Sequence, residues 1–109
     1  MQLIKAIVRP NKVDEVKEAL EKTGVTGMTV TEVRGHGQQK GHTAIYRGKE
    51  YAVSLLPKMQ IETVVEDSAV DMIIRAIVGA ARTGEIGDGR VYVTPVMQSY
   101  KIRTGEREN

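Results

Sequence analysis

The chain has 109 residues, a usual size for one domain, and its 40% apolar content allows a real though small core. It has no cysteine, which excludes disulfides, thiolate metal sites and thiol catalysis. A net charge of +2 with Lys and Arg interleaved among Asp and Glu, and the absence of Phe and Trp, argue against a nucleic-acid surface, which needs a basic patch and stacking aromatics. In chain order, Leu3-Ile4-Lys5-Ala6-Ile7-Val8 is a short apolar run ended by Arg9-Pro10 and predicts a buried strand. Asn11 then stands where a helix needs a cap, with Asp14 as an imperfect capping-box partner. Val13, Val16, Ala19 and Leu20 recur at helical spacing, and Gly24 is placed to stop the helix. Residues 28–33 alternate as a second strand.

Residues 35–54 hold several glycines, both histidines and many charges without a sustained period, and predict a long excursion; loops of that length in compact domains are usually functional or disordered. Lys58, Gln60, Glu62 and Val64 then alternate with Met59, Ile61, Thr63 and Val65, a half-buried third strand. Ser68 and Asp71 repeat the capping-box pattern. Val70, Ile73, Ile74, Ile77, Val78 and Ala81 form a broad helical stripe that Thr83-Gly84 ends. Residues 90–96 predict a fourth strand, with Pro95 near its end marking a sheet edge. Residues 99–109 are polar and fall outside the pattern. No run is long and apolar enough to span a bilayer and no signal peptide is evident, so a soluble, cytoplasmic protein is expected.

The order strand, helix, strand, long loop, strand, helix, strand predicts a single α+β domain over residues 1–109, of the split βαβ, ferredoxin-like kind. Asn11 and Ser68 take equivalent capping roles in its two halves. Two helices cover one sheet face and leave the other carrying apolar side chains, so that face is expected to pack against further copies.

Three segments combine glycine-rich backbone with a nearby cation, the chemistry an anionic phosphate needs: Gly35-His36-Gly37-Gln38-Gln39-Lys40-Gly41, Thr83-Gly84-Glu85-Ile86-Gly87-Asp88-Gly89-Arg90, and Arg103-Thr104-Gly105. The first is equally a plain hairpin, and the second taken alone reads more readily as a simple tight Asp-Gly turn, a reading weakened by Arg82, Arg90, Lys101 and Arg103 in the flanking segments. Lys58, opening a strand after Pro57, is either an exposed strand-end lysine or a partner for a carboxylate or phosphate. Glu62 lies on the same face. His36 and His42 have Glu50 as the sole nearby loop acid, too few donors for a protein-only metal site, and are expected in solvent. There is no Ser-His-Asp set and no evident nucleophile.

Five stretches, in order and spacing, resemble the P-II nitrogen-regulatory signalling family nearly end to end. They are Gly27-Met28-Thr29-Val30-Thr31-Glu32-Val33, Gln39-Lys40-Gly41-His42, Tyr46-Arg47-Gly48-Lys49-Glu50-Tyr51, the segment from Thr83 through Arg90 to Tyr92, and Ile102-Arg103-Thr104-Gly105-Glu106. The resemblance implies a homotrimer of ferredoxin-like subunits with sheets facing inward. It implies a T-loop at about 36–54, a B-loop at about 82–90 and a C-terminal loop at about 99–109. ATP and ADP would compete for clefts between subunits, gripped by Ile7, Thr29, Gly35, Gln38, Glu62, Val64, Gly87, Asp88, Gly89 and Arg90, with Lys101 and Arg103 arriving from a neighbour. With MgATP, 2-oxoglutarate would bind Gly37, Gln39, Lys40, Gly41 and Lys58, with Gln39 as the Mg2+ ligand.

Some positions depart from the family pattern. Gln38 stands where the family commonly has Arg, so the implied contact there is an amide and not a charge. His36 replaces a frequent aromatic, Arg90 a frequent Lys, Lys101 a frequent Arg and Tyr92 a frequent Phe. Tyr51 matches a position uridylylated in many bacteria, while Lys49 occupies the place of a phosphorylated Ser in some relatives. The implied function is a sensor, not an enzyme, that reports ATP, ADP and 2-oxoglutarate. Its implied partners are nitrogen-metabolism proteins such as an ammonium transporter, which would be its route to a membrane, glutamine synthetase or its adenylyltransferase, nitrogenase regulators or a two-component kinase. The alternative is a small nucleotide hydrolase or phosphotransferase on the same scaffold.

Overall fold

A computed structural model of the chain describes residues 1–36, 43–46, 49–52 and 55–108, the two short internal stretches through their backbone alone. Strand β1 (Gln2–Val8) leads to helix α1 (Val13–Lys22), β2 (Thr29–Gly35), β3 (Thr43–Tyr46), β4 (Lys49–Ala52), β5 (Leu56–Val65), helix α2 (Val70–Ala81) and β6 (Gly89–Pro95). The main sheet has the order β2-β5-β1-β6 and every pair in it is antiparallel. This is the predicted ferredoxin-like arrangement, with β6, and hence Pro95, at an edge.

Alternation decides which side chains enter the core. Ile4, Ala6 and Val8 of β1 and Ile61 of β5 point to the helix side, where they meet Val16 and Leu20 of α1 and Ile73, Ile77 and Ala81 of α2. Fully burying each large aliphatic chain contributes about 1.5–3 kcal/mol, so this small cluster is the main source of stability. The opposite face is mixed. Lys5 is paired with Glu62 on one side and Tyr92 on the other, and Val64 and Tyr92 are about half exposed. The Gln60 amide donates to the Glu62 carboxylate on this face.

Both helix starts differ from the expected capping boxes. Asn11 lies inside a 3-10 turn, Pro10–Lys12, and the α1 cap position is Lys12, without a side-chain cap. Pro10 presets the helical φ, and the Lys12 N–H bonds the Arg9 carbonyl at 3.0 Å, so the entry is built from backbone. Ser68 likewise lies inside the turn Asp67–Ala69, and Ala69 precedes α2. The two halves are thus equivalent, as expected, but through a shared 3-10 entry. Acidic Asp14, Glu15 and Asp71 still occupy first turns, where the helix dipole favours them. Gly24 follows α1 at φ +92°, the expected stop.

Strand β5 begins at Leu56, two residues before the predicted start. Pro57 is tolerated because β1 pairs only from Met59 onward, so Pro57 faces β2 alone. The predicted excursion between β2 and β5 contains the β3–β4 pair, a two-stranded sheet of its own that runs from Thr43↔Ala52 to Tyr46↔Lys49. Residues 99–108, outside the sequence pattern, fold back on themselves through Lys101 N–H to the Glu106 carbonyl (2.9 Å) and Glu108 N–H to the Ser99 carbonyl (2.8 Å).

Candidate functional site

The segment joining α2 to β6 is organised by one carboxylate. Asp88 Oδ2 accepts the backbone N–H groups of Thr83 (2.8 Å) and Gly84 (2.9 Å). Its Oδ1 accepts the Thr83 hydroxyl and Arg9 Nε, the latter at 3.1 Å. Arg9 Nη2 also donates to the Ile86 carbonyl at 2.9 Å. The Thr83 hydroxyl first, then its backbone N–H, hold the Asp88 carboxyl well below the usual carboxylate range. Asp88 therefore turns its charge into the loop, leaving backbone and neighbouring cations to meet a ligand.

Gly84, Gly87 and Gly89 all have positive φ, between 91° and 103°. At Gly89 the requirement is absolute for a second reason: an added Cβ would lie 1.7 Å from the Ile7 carbonyl oxygen. Gly89 pairs with Val8 at the start of β6, so its glycine serves the closure of the sheet as well as any ligand approach.

Around this loop lies an open cavity of about 730 Å³, walled by Ile7, Gly35, His36, Leu56, Lys58, Tyr92 and residues 85–90. Strand pairing assembles it: Gly35 ends β2 opposite Leu56, and Ile7 stands beside both Gln60 and Arg90. Lys58 Nζ donates to the Gly87 carbonyl at 2.7 Å, tying β5 to the loop. Burial lowers the Lys58 pKa, the Arg9 cation lowers it further, and Asp88 opposes both. The cavity thus joins glycine backbone, a lysine and an arginine, a suitable wall for an anion.

A second hollow, about 790 Å³, occupies the other end of the sheet and includes Thr29, Glu62 and Val64 with residues 23–28, Ser99 and Glu108. The buried Thr63 hydroxyl donates to the Gly27 carbonyl at 2.6 Å and pins that rim. Lys101 and Arg103 line neither hollow; the Lys101 ammonium lies 3.9 Å from the Glu108 carboxylate on the folded tail.

Comparison with known proteins decides the family. The profile described as "Nitrogen regulatory protein P-II" matches residues 1–106. Proteins named nitrogen regulatory protein P-II are similar to this chain over nearly their whole length. That of Azospirillum brasilense is 58% identical over 107 residues (98% of this chain, 96% of the relative). That of Microchaete diplosiphon is 57% identical over 107 residues (98% and 96%). That of Rhodobacter capsulatus is 56% identical over 106 residues (97% and 95%). The chain belongs to the P-II family.

The P-II residues expected from the sequence fall into three groups. Ile7, Gly35, Gly87, Asp88, Gly89, Arg90 and Lys58 meet at the first cavity. Thr29, Glu62 and Val64 meet at the second, and Lys101 and Arg103 lie on the tail. Gly37, Gln38, Gln39, Lys40 and Gly41 lie outside the described residues, as do all side-chain details of Tyr51. Arg9 was read from sequence only as the end of a strand. Its link to Asp88 follows from pairing the first strand with the last, a signal available once the split βαβ order is drawn. His36, expected in solvent, is exposed but lines the cavity. Among the described residues no helix is long and apolar enough to cross a membrane, and no acidic or histidine cluster is placed to hold a metal.

Proposed function

We propose that this P-II family member is a homotrimeric sensor of ATP, ADP and 2-oxoglutarate that regulates nitrogen-metabolism proteins through residues 36–54. The observation that carries the reading is the meeting of Gly35, Lys58 and residues 87–90 around one cavity, although they are far apart in sequence. Positive-φ glycines and Arg90 suit phosphate oxygens, while Ile7 offers an apolar contact. The separation of Thr29, Glu62 and Val64 to the opposite end of the sheet fits a ligand shared between chains. A neighbour presenting that end, with Lys101 and Arg103, would complete the cavity of the first chain. In a closed ring each chain does this once.

The chain's own residues would act in order. Arg9 and Asp88 hold the loop in shape, Arg90 and the loop backbone receive phosphates, and Lys58 exchanges the Gly87 carbonyl for a ligand carboxylate. Gln39 is the residue that would hold Mg2+. Bound there, Mg2+ would supply a hard dication that offsets the repulsion between a phosphate and a 2-oxo acid. Each of the two ligands would then favour the other by the same factor. The A. brasilense, M. diplosiphon and R. capsulatus proteins are named as regulatory, which supports a sensor over a nucleotide hydrolase or phosphotransferase.

Titration calorimetry with ATP, with ADP, and with 2-oxoglutarate in the presence and absence of MgATP, alongside light scattering, tests the proposal. Saturable nucleotide binding by a particle of three chains, and 2-oxoglutarate binding that depends on MgATP, are expected. A single subunit indifferent to adenine nucleotides would overturn it, and rapid steady-state turnover of MgATP would favour the hydrolase.

A further inference from the structure

His36 follows Gly35, whose pairing with Leu56 ends β2, so the backbone that carries it is set by the main sheet. It shares the wall of the first cavity with Lys58 and Arg90. The acids there differ in what they can do. Asp88 is engaged by Arg9, the Thr83 hydroxyl and two backbone N–H groups, whereas Glu85, which also lines the cavity, joins that clasp through its backbone N–H to the Thr83 hydroxyl. An imidazole is a neutral polar group or a cation according to its proton, and an unperturbed one changes charge between pH 5 and 8. Protonated, both ring nitrogens donate, as a phosphate requires.

We infer that His36 is a proton-linked contact for the phosphate groups of the nucleotide, so that the nucleotide and a proton on His36 strengthen each other's binding. The inference rests on the proposed nucleotide reading of the cavity. Among the described residues, the charged and titratable groups that share the cavity wall with His36 are Lys58 from β5, Glu85 and Asp88 from the loop, and Arg90 and Tyr92 from β6, with Arg9 bonded to Asp88. A polyphosphate placed beside an imidazole favours its cationic form, which makes proton uptake a consequence of binding.

The test is ATP titration calorimetry at pH 6 and pH 8, in buffers of different ionisation enthalpy, on the wild-type chain, His36→Gln and His36→Arg. Phosphate titrates in the same range, so the readout is the ratio of wild-type to variant affinity, in which the ligand's own protons cancel. One added charge pair in a solvated cavity is worth about fivefold in affinity. The wild-type to His36→Gln ratio should therefore be about fivefold larger at pH 6 than at pH 8. His36→Gln should take up fewer protons on binding, and His36→Arg should keep the tighter binding at pH 8. Equal ratios and equal proton uptake at both pH values, with ATP bound throughout, would overturn this inference while leaving the nucleotide reading intact. Failure of the wild-type chain to bind ATP at either pH would overturn both.

Discussion

Replacing Gly89 by alanine separates two reasons for a glycine in the α2–β6 loop. Its φ of +103° costs an L-residue about 1–2 kcal/mol. The new Cβ would also sit 1.7 Å from the Ile7 carbonyl oxygen and 2.8 Å from its carbon, both backbone atoms. Relief requires parting β1 from β6 near the Val8↔Gly89 pair, with ladder hydrogen bonds worth about 0.5–1.5 kcal/mol each. The expected loss is roughly 3–4 kcal/mol, a large share of the about 5–15 kcal/mol that holds a small domain together. Gly84→Ala is the control: φ is +91°, but nothing lies within 4 Å of the added Cβ, so about 1 kcal/mol is expected. Urea unfolding followed by circular dichroism, at one protein concentration so that association does not intrude, measures both. A Gly89→Ala loss within 1 kcal/mol of the Gly84→Ala loss would refute the argument from strand closure. The result also governs ligand work, because reduced nucleotide affinity in a Gly89 variant would report a disturbed sheet edge as readily as a blocked phosphate.

Lys58→Ala should weaken 2-oxoglutarate binding by about 30-fold or more, the worth of a charged hydrogen bond, and ATP binding by only a few-fold through the lost Gly87 contact; calorimetry showing unchanged 2-oxoglutarate affinity would contradict the assignment. Asp88→Asn should flatten the acid limb of stability. The folded carboxyl pKa is depressed, so its contribution is present above the unfolded value of about 3.9 and is lost as pH falls below it toward the folded pKa. Unfolding titrations from pH 6 to pH 2 with equal slopes in the two proteins would remove that role. Deleting residues 43–52 should leave the main sheet and the oligomeric state intact, because β3 and β4 pair only with each other among the described strands, while target binding is lost. A change of particle size on gel filtration would count against this.

The parts of the fold legible in the sequence are those set by periodicity. The stripe of Val70, Ile73, Ile77 and Ala81 placed α2 to the residue at its end, and the alternation from Lys58 to Val65 separated the face that meets the core from the one that does not. Elements set by other forces were missed. The 3-10 entries arise from Pro10 and from backbone bonding, so Asn11 and Ser68 looked like caps without serving as caps. The β3–β4 pair has too short a period to register, although Gly48, between strands ending at Tyr46 and starting at Lys49, was the available hairpin signal. Lys58 was visible as a cation opening a strand, but its Gly87 contact and that of Arg9 with Asp88 join residues 29 and 79 positions apart. Such contacts follow from strand order and not from local pattern.

The two long-range contacts have a joint consequence. One loop is held from two neighbouring strands: Arg9, just beyond β1, grips Asp88 and Ile86, and Lys58 on β5 grips Gly87. A loop so held has lost much of its freedom before any ligand arrives, which lowers the entropic cost of binding an anion there. The two grips differ in kind. Arg9 meets a carboxylate that also binds three groups of Thr83 and Gly84, so releasing it would unpair several partners at once. Lys58 donates to the neutral Gly87 carbonyl, and burial and Arg9 disfavour its ammonium while Asp88 opposes them. A carboxylate is a stronger partner for an ammonium than a neutral carbonyl such as that of Gly87. Of the two contacts with the loop, that of Lys58 is therefore the one a carboxylate would favour replacing, and such a replacement acts on the loop that leads into Arg90 while leaving the Arg9–Asp88 clasp in place.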